Sequence, residues 1–426
     1  MAPDPDRYGP RGYHRREVFS WALYDWGNSA FATTVMAAFF PIFLGEYWIT
    51  DGQTNSTFVL GNANGLSSLL IVLSAPILGA IADRCGARKR FLAFFAFLGV
   101  LMTALLYVVS KGHWELAALL FVVAAFGFSG ANVFYDSLLV AVARTDKRDI
   151  VSALGYSMGY IGGAILFSVN VLMTLHPDWF GLRDAAHAVR VSFVTVAVWW
   201  AVFTLPVLLW VREPPTREKL AGWAAIRAGF RELGETLAHI RQLKHVATFL
   251  VAYWLYIDGV DTIVRMAVDY GRQLGFGTND LITALLITNA IGFPATLIYG
   301  RVAERVGAKT GILFAIAVYT VTTALAYFMS STMHFYMLAI VIGLVQGGVQ
   351  ALSRSLYSRM IPQEKSAEFF GFYNMLGKFA AVIGPIMVGW VSVLSGSPRL
   401  AILSVIVLFI AGGTLLLRVP EPTDAS

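Results

Sequence analysis

The chain has 426 residues, 57% of them hydrophobic and 14% charged, with a mean hydropathy of +0.65. A soluble protein of this size carries about 25% charged residues, so a soluble globular domain is excluded. The net charge of +6 does not point to nucleic acid, because the basic residues sit in short loops between apolar runs. Cys85 is the lone cysteine and cannot form an internal disulfide. No metal-ligand cluster, nucleophile motif or phosphate-binding loop stands out, so no enzyme activity, cofactor or ATP-driven pumping is expected.

Residues 1–16 are polar and basic, and the helix that follows carries Asp25, so this start is not read as a cleavable signal peptide. Apolar spans then fall near 18–45, 59–82, 91–110, 114–143, 151–175 and 189–211. A polar segment, 212–245, intervenes; six more spans follow near 246–268, 280–303, 311–330, 334–360, 368–395 and 398–418. Each is long enough to cross the hydrocarbon of a bilayer. Pro41, Pro76, Pro206, Pro294 and Pro385 are kink sites to expect. The expected units are a tail 1–17, a six-helix bundle 18–211, a linker 212–245, a second bundle 246–418 and a tail 419–426. Within the linker, Ile226, Phe230, Leu233, Leu237 and Ile240 alternate with charges as in an amphipathic surface helix.

Alternate loops differ in charge. One set holds Arg7, Arg11, Arg15, Arg16, Arg84, Arg88, Lys89, Arg90, Arg144, Lys147, Arg148, Arg301, Arg305 and Lys309, together with the linker. The other set holds Lys111, Arg183, Arg190, Arg272 and Arg399. The basic side is therefore expected to be cytoplasmic, with both termini on it. Asn55-Ser-Thr57 matches a glycosylation sequon on the opposite side.

The two halves repeat. Gly79-Ala-Ile-Ala-Asp83-Arg84-Cys85-Gly86-Ala-Arg88-Lys89-Arg90 follows the second span. Gly300-Arg-Val-Ala-Glu304-Arg305-Val-Gly307-Ala-Lys309 follows the eighth. Gly127 and Gly155 recur as Gly343 and Gly371. Six spans repeated in the same orientation imply two bundles related by an axis along the membrane normal, with a binding site between them.

With these motifs the chain resembles the major facilitator superfamily. A closer resemblance lies in Trp21-Ala-Leu-Tyr-Asp25-Trp-Gly-Asn28, Gly347-Gly-Val-Gln350-Ala-Leu-Ser-Arg354 and Glu368-Phe-Phe-Gly-Phe-Tyr-Asn374-Met-Leu-Gly-Lys378. These are similar to the branch of the fungal autophagy-related vacuolar amino-acid effluxer and its bacterial relatives. The resemblance implies an all-α membrane protein, with twelve transmembrane helices in two pseudo-symmetric six-helix bundles. It also implies a monomeric secondary transporter of an amino acid or similar zwitterion, working by alternating access in a bacterial inner membrane. Protons are the expected coupling ion. An exporter of drugs or other organic solutes is the nearest alternative; a lipid scramblase or a non-transporting receptor is the alternative of another class.

Spans three, six, nine and twelve are apolar all round and suit lipid contact. Spans one, four, seven and ten carry polar stripes: Asp25-Asn28-Ser29, Ser129-Asn132-Asp136, Asp258-Asp261-Arg265 and Gln346-Gln350-Arg354. Such spacing puts each stripe on one helix face, so four helices are expected to line a cavity. Asp25 or Asp136 is expected to pair with Arg354 when the basic side closes; a static pair is the alternative. Lys378, one turn beyond Asn374, and Asp258 are expected at the substrate site. Asp258 and Asp261 are the carboxylates proposed to take a proton or a substrate amine, since ionisable groups at this depth mark function. The alternative is internal charge balance, Asp261 with Arg265 and Asp258 with Lys378. In the loop Gly79–Arg90, the resemblance implies that Asp83 meets a helix N-terminus of the other half, near Glu368. Gly155-x-x-x-Gly159-x-x-Gly162-Gly163 allows close helix approach. Tyr160 stands where the superfamily's antiporter motif has proline, so that motif carries no conclusion. Asn64, Asn170 and Asn289 either line the cavity or bond between helices.

Overall fold

The computed structural model describes residues 13–51, 54, 56–213, 244–379 and 383–420. The tail before Tyr13, most of the linker, the sequon asparagine and the last six residues lie outside the described residues. All named elements are helices: α1 Arg15–Trp48, α2 Ser56–Cys85, α3 Arg88–Val108, α4 Trp114–Val142, α5 Arg148–Leu175 and α6 Ala185–Trp210. After the linker come α7 Lys244–Gln273, α8 Thr278–Val306, α9 Ala308–Ala326, α10 Thr332–Met360, α11 Ser366–Phe379, α12 Ile383–Ser395 and α13 Pro398–Leu417. Eleven of the described helices are long and apolar enough to cross a membrane. The single span expected over 368–395 is described as two helices, α11 and α12.

Pro76, Pro206 and Pro294 sit inside helices. At Pro41 the consequence is visible. Phe31–Phe39 winds in wider turns, and Phe40 N–H bonds Val35 O five residues back. Pro41 follows with no N–H of its own to place in the ladder.

The buried apolar residues form two clusters. One joins α1 to α6 around Trp21, Trp48, Phe121, Tyr135 and Trp200. The other joins α7 to α13 around Phe249, Tyr256, Tyr319, Tyr357 and Phe409. Exposed apolar side chains crowd α3 (Phe94, Leu101), α6 (Val198, Leu209), α9 (Phe314, Val321) and α13 (Val407, Ile410). These four helices are the ones the sequence leaves without interior charge, and their outer faces suit lipid.

Within the first cluster, α3, α4 and α6 approach at Gly99 and Gly127. A Cβ on Gly127 would lie 2.7 Å from Gly99 N and 2.8 Å from Phe95 O, both backbone atoms that cannot swing away. Gly127→Val is therefore expected to destabilise the protein by about 1–3 kcal/mol through overpacking. Gly65→Ala, which opens onto free space in a helix interior, is expected to stabilise by up to about 1 kcal/mol. Thermal unfolding of the two purified variants checks the contrast.

Candidate functional site: a charged seam between the halves

The two halves meet at the basic ends of their helices. The seam is built around Arg354, on α10, a residue only 1% exposed. Nη1 donates to Asp136 Oδ1 on α4 at 3.0 Å, and Asp25 Oδ2 on α1 lies 3.8 Å away. Nε donates to Ser152 Oγ at 2.9 Å and Nη2 to Ser152 O at 2.8 Å, both on α5. The ring of Tyr156 lies 4.3 Å from the guanidinium carbon and that of Trp21 4.9 Å. One cation of the second half is thus held by three helices of the first. A planar guanidinium suits this place because its donors fan out in fixed directions and its face stacks on aromatic rings.

The carboxylates have further partners. Asp136 Oδ2 accepts from Asn374 Nδ2 at 3.1 Å, another contact between halves. Asp25 Oδ2 accepts from the Tyr135 hydroxyl at 3.2 Å. Asn28 Nδ2 donates to Asn132 Oδ1 at 2.6 Å, joining α1 to α4. Glycines let α5 reach α1: a Cβ at Gly159 would meet Ser29 Oγ at 2.6 Å, and one at Gly155 would meet the ring of Trp21 at 2.9 Å.

Towards the basic face, Asp83 lies at the start of α11. Its Oδ2 accepts from Glu368 N at 2.9 Å and its Oδ1 from Ala367 N at 3.2 Å. First-turn N–H groups lack helical partners and carry partial positive charge, so a carboxylate is favoured there. Arg88 Nε bonds the same carboxylate at 2.6 Å, while its Nη2 donates to Glu364 O at 2.9 Å and Gln363 O at 3.2 Å. Gly79 packs against the backbone of Ala367 with no room for a side chain. Its repeat partner Gly300 packs against Ala153 and Ile150 of α5. The second copy of the loop closes differently, since Glu304 pairs with Lys147 Nζ at 3.0 Å. Gly86 and Gly307 both have positive φ, 58° and 88°, which explains a glycine at each turn. Arg84 is half-buried, and Arg90 and Arg305 are exposed at the face.

Several seam residues escaped the sequence reading. Ser152, Tyr135 and Tyr156 are ordinary residues in apolar runs. Arg148 donates to Ser358 O at 2.7 Å, and Arg359 pairs with buried Asp149. Arg148, Asp149 and Arg359 stand at span edges, where charges pass for loop residues.

The second half holds the remaining expected residues, of which Gln350 stands one turn before Arg354 on α10. Asp258 is fully buried; both carboxylate oxygens lie 3.0 Å from Gly384 N in the first turn of α12, and Thr262 Oγ1 donates to Oδ1 at 3.4 Å. Asp261 and Gln350 are half-buried. Gln346 lines an apolar cavity between α7, α8, α9 and α10, with Ile263, Thr288, Thr322 and Phe335. The side chains of Arg265 and Lys378 lie outside the described residues, so the Asp258–Lys378 and Asp261–Arg265 pairs do too. Asn64 and Asn289 bond carbonyls of their own helices, Leu60 O and Leu285 O. Asn170 accepts from Thr195, between α5 and α6.

Helices in this order, closed on one side by buried charge, define a transporter of the major facilitator fold. Solved structures agree in fold. The proton:xylose symporter XylE bound to 6-bromo-6-deoxy-D-glucose superposes with a TM-score of 0.74 at 15% identity, over 96% of this chain and 97% of that one. FucP in the outward conformation gives 0.70 at 12%, over 96% and 100%. The family described as "Vacuole effluxer Atg22 like" matches residues 47–148 and 140–424, and the chain belongs to it. The "Uncharacterized MFS-type transporter YxiO" of Bacillus subtilis (strain 168) is 40% identical over 409 residues, 95% of each chain. Autophagy-related protein 22 of Eremothecium gossypii is 25% identical, over 88% of this chain and 85% of its own. The protein is an integral membrane secondary transporter, not an enzyme.

Removing the cation from the seam leaves Asp25 and Asp136 facing each other without it. Arg354→Gln is expected to cost about 3–5 kcal/mol of stability, as for other broken buried pairs. Asp25→Asn is expected to cost less, because Asp136 is the closer partner. Thermal unfolding of both variants in one detergent checks the order.

Proposed function

We propose that the chain moves an amino acid, or a similar small zwitterion, by alternating access of its two halves, 18–211 and 246–418. The basic side is cytoplasmic in this reading, with both termini and the 212–245 linker on it. The observation that carries the proposal is the placement of Arg354 against Asp136 and Asp25 across the halves. These groups are held by contacts that separation of α10 from α1, α4 and α5 would break together. Ions buried at such a contact attract strongly when dry and are resolvated when water enters, which suits a gate that must close and reopen.

The amino-acid assignment rests on the resemblance of the sequence motifs to those of the fungal vacuolar effluxer. It agrees with a seam that presents both signs of charge beside the amides of Asn28, Asn132 and Asn374. Proton coupling is assigned to Asp258, fully buried, and Asp261, half-buried. Asp258 would act through the first turn of α12, whose Gly384 N–H it holds.

Counterflow of a labelled amino-acid panel into proteoliposomes tests this reading. The native protein is expected to exchange one subset. Arg354→Gln is expected to lower exchange at least about tenfold, equivalent to 1.4 kcal/mol of barrier or binding. Absence of exchange by folded native protein would contradict the amino-acid assignment and favour an organic-solute exporter.

A further inference from the structure

A second charged feature lies outside the seam, on the lateral surface. α1, α5 and α8 enclose a groove of about 370 Å³ at the basic face. Arg15 and Arg301 line it, together with Val18, Phe19, Leu154 and Leu297. Arg15 opens α1, and Arg301 stands five residues before the end of α8 at Val306, about 7.5 Å along the axis. Both arginines thus lie within about two turns of the basic ends of their helices. Phe19 is 53% exposed, one turn deeper.

The carboxylates of the surrounding helix ends are already engaged. Glu17 pairs with Arg212 at 3.3 Å, Glu304 with Lys147 at 3.0 Å, and Asp149 with Arg359. Among the described residues neither Arg15 nor Arg301 has a carboxylate partner. Two arginines above an apolar floor whose Phe19 is exposed match an anion that carries a hydrocarbon tail. Basic pockets between helices on this face of membrane proteins are suited to anionic headgroups.

We propose that this groove binds one anionic phospholipid, its phosphate between Arg15 and Arg301 and an acyl chain along Phe19, Leu154 and Leu297. The floor selects lipid over free phosphate, which would use the arginines alone. Arg15 opens α1, which continues into the first half, and Arg301 lies on α8 of the second, so the headgroup spans the junction. The lipid then stabilises the conformation in which the basic ends are together, by its preference for that state. This last consequence rests on the alternating-access reading; binding itself does not.

The test uses the full chain in detergent micelles. Thermal unfolding is followed while phosphatidylglycerol, phosphatidylcholine, glycerol phosphate or inorganic phosphate is added. Phosphatidylglycerol is expected to raise the melting temperature more than the other three. Arg15→Ala/Arg301→Ala is expected to lose that difference. Lys244→Ala/Arg418→Ala removes the same charge elsewhere on this face and is expected to keep it. Phosphatidylglycerol with a photoreactive acyl chain is expected to label peptides containing Phe19 or Leu297. A phosphatidylglycerol effect that survives in Arg15→Ala/Arg301→Ala would overturn the site. So would an equal effect of glycerol phosphate, or labelling confined to other helices. Failure of amino-acid counterflow would leave these results unaffected, which separates this proposal from the substrate assignment.

Discussion

Everything at the junction of the halves depends on the buried guanidinium of Arg354. A charge in this position costs several kcal/mol of desolvation, and only a full set of partners offsets that cost. Those partners come from α1, α4 and α5: Asp25, Asp136 and both oxygens of Ser152. They can be supplied only while the halves are together. In the proposed cycle the same interaction stabilises the closed side and is lost when that side opens. Separation without water would leave a bare cation and two carboxylates, so opening and wetting of the seam must occur together.

The contacts nearer the basic face follow from this closure. Asp83 reaches the first N–H groups of α11 because Gly79 lets α2 lie against Ala367. A carboxylate at a helix N-terminus contributes about 0.3–1 kcal/mol, and up to about 2 when partly buried. On the other side of the pseudo-symmetry axis, Gly300 lets α8 lie against α5. There the charge pair is Lys147 with Glu304, partly exposed and worth correspondingly less. The repeat thus keeps the close helix approach in both copies; in the second copy the buried ion pair beside the glycine, Asp149 with Arg359, comes from outside the loop.

How much of this was legible from residues alone follows a physical rule. Side chains that are costly in lipid announce themselves: Asp25, Asp136 and Arg354 stood out as charges within apolar spans, and the structure brings all three together. Gly86 and Gly307 announced themselves through the repeated loop, and both adopt positive φ. Partners that are backbone atoms leave no trace in composition. Nothing in the sequence marked Gly384 N–H as the group held by Asp258, or Ser152 as the residue that seats Arg354. Arg148, Asp149 and Arg359 were hidden for another reason: at a span edge, a charge that orients the chain and a charge that joins two halves look alike. Gln346 shared a helix face with Arg354 by spacing, yet it lines an apolar cavity within the second half. A helix face several turns long can meet a different neighbour at each end.

In the proposed mechanism buried charge holds the basic side closed, and transport requires its release. Electron–electron distance measurement tests it most directly. Spin labels would be placed at Arg144 in the first half and Arg305 in the second, in a Cys85→Ser background, in lipid bilayers. A short-distance population is expected in this protein, with growth of a longer one in Asp83→Asn and Arg354→Gln. Identical distance distributions in all three proteins would contradict it.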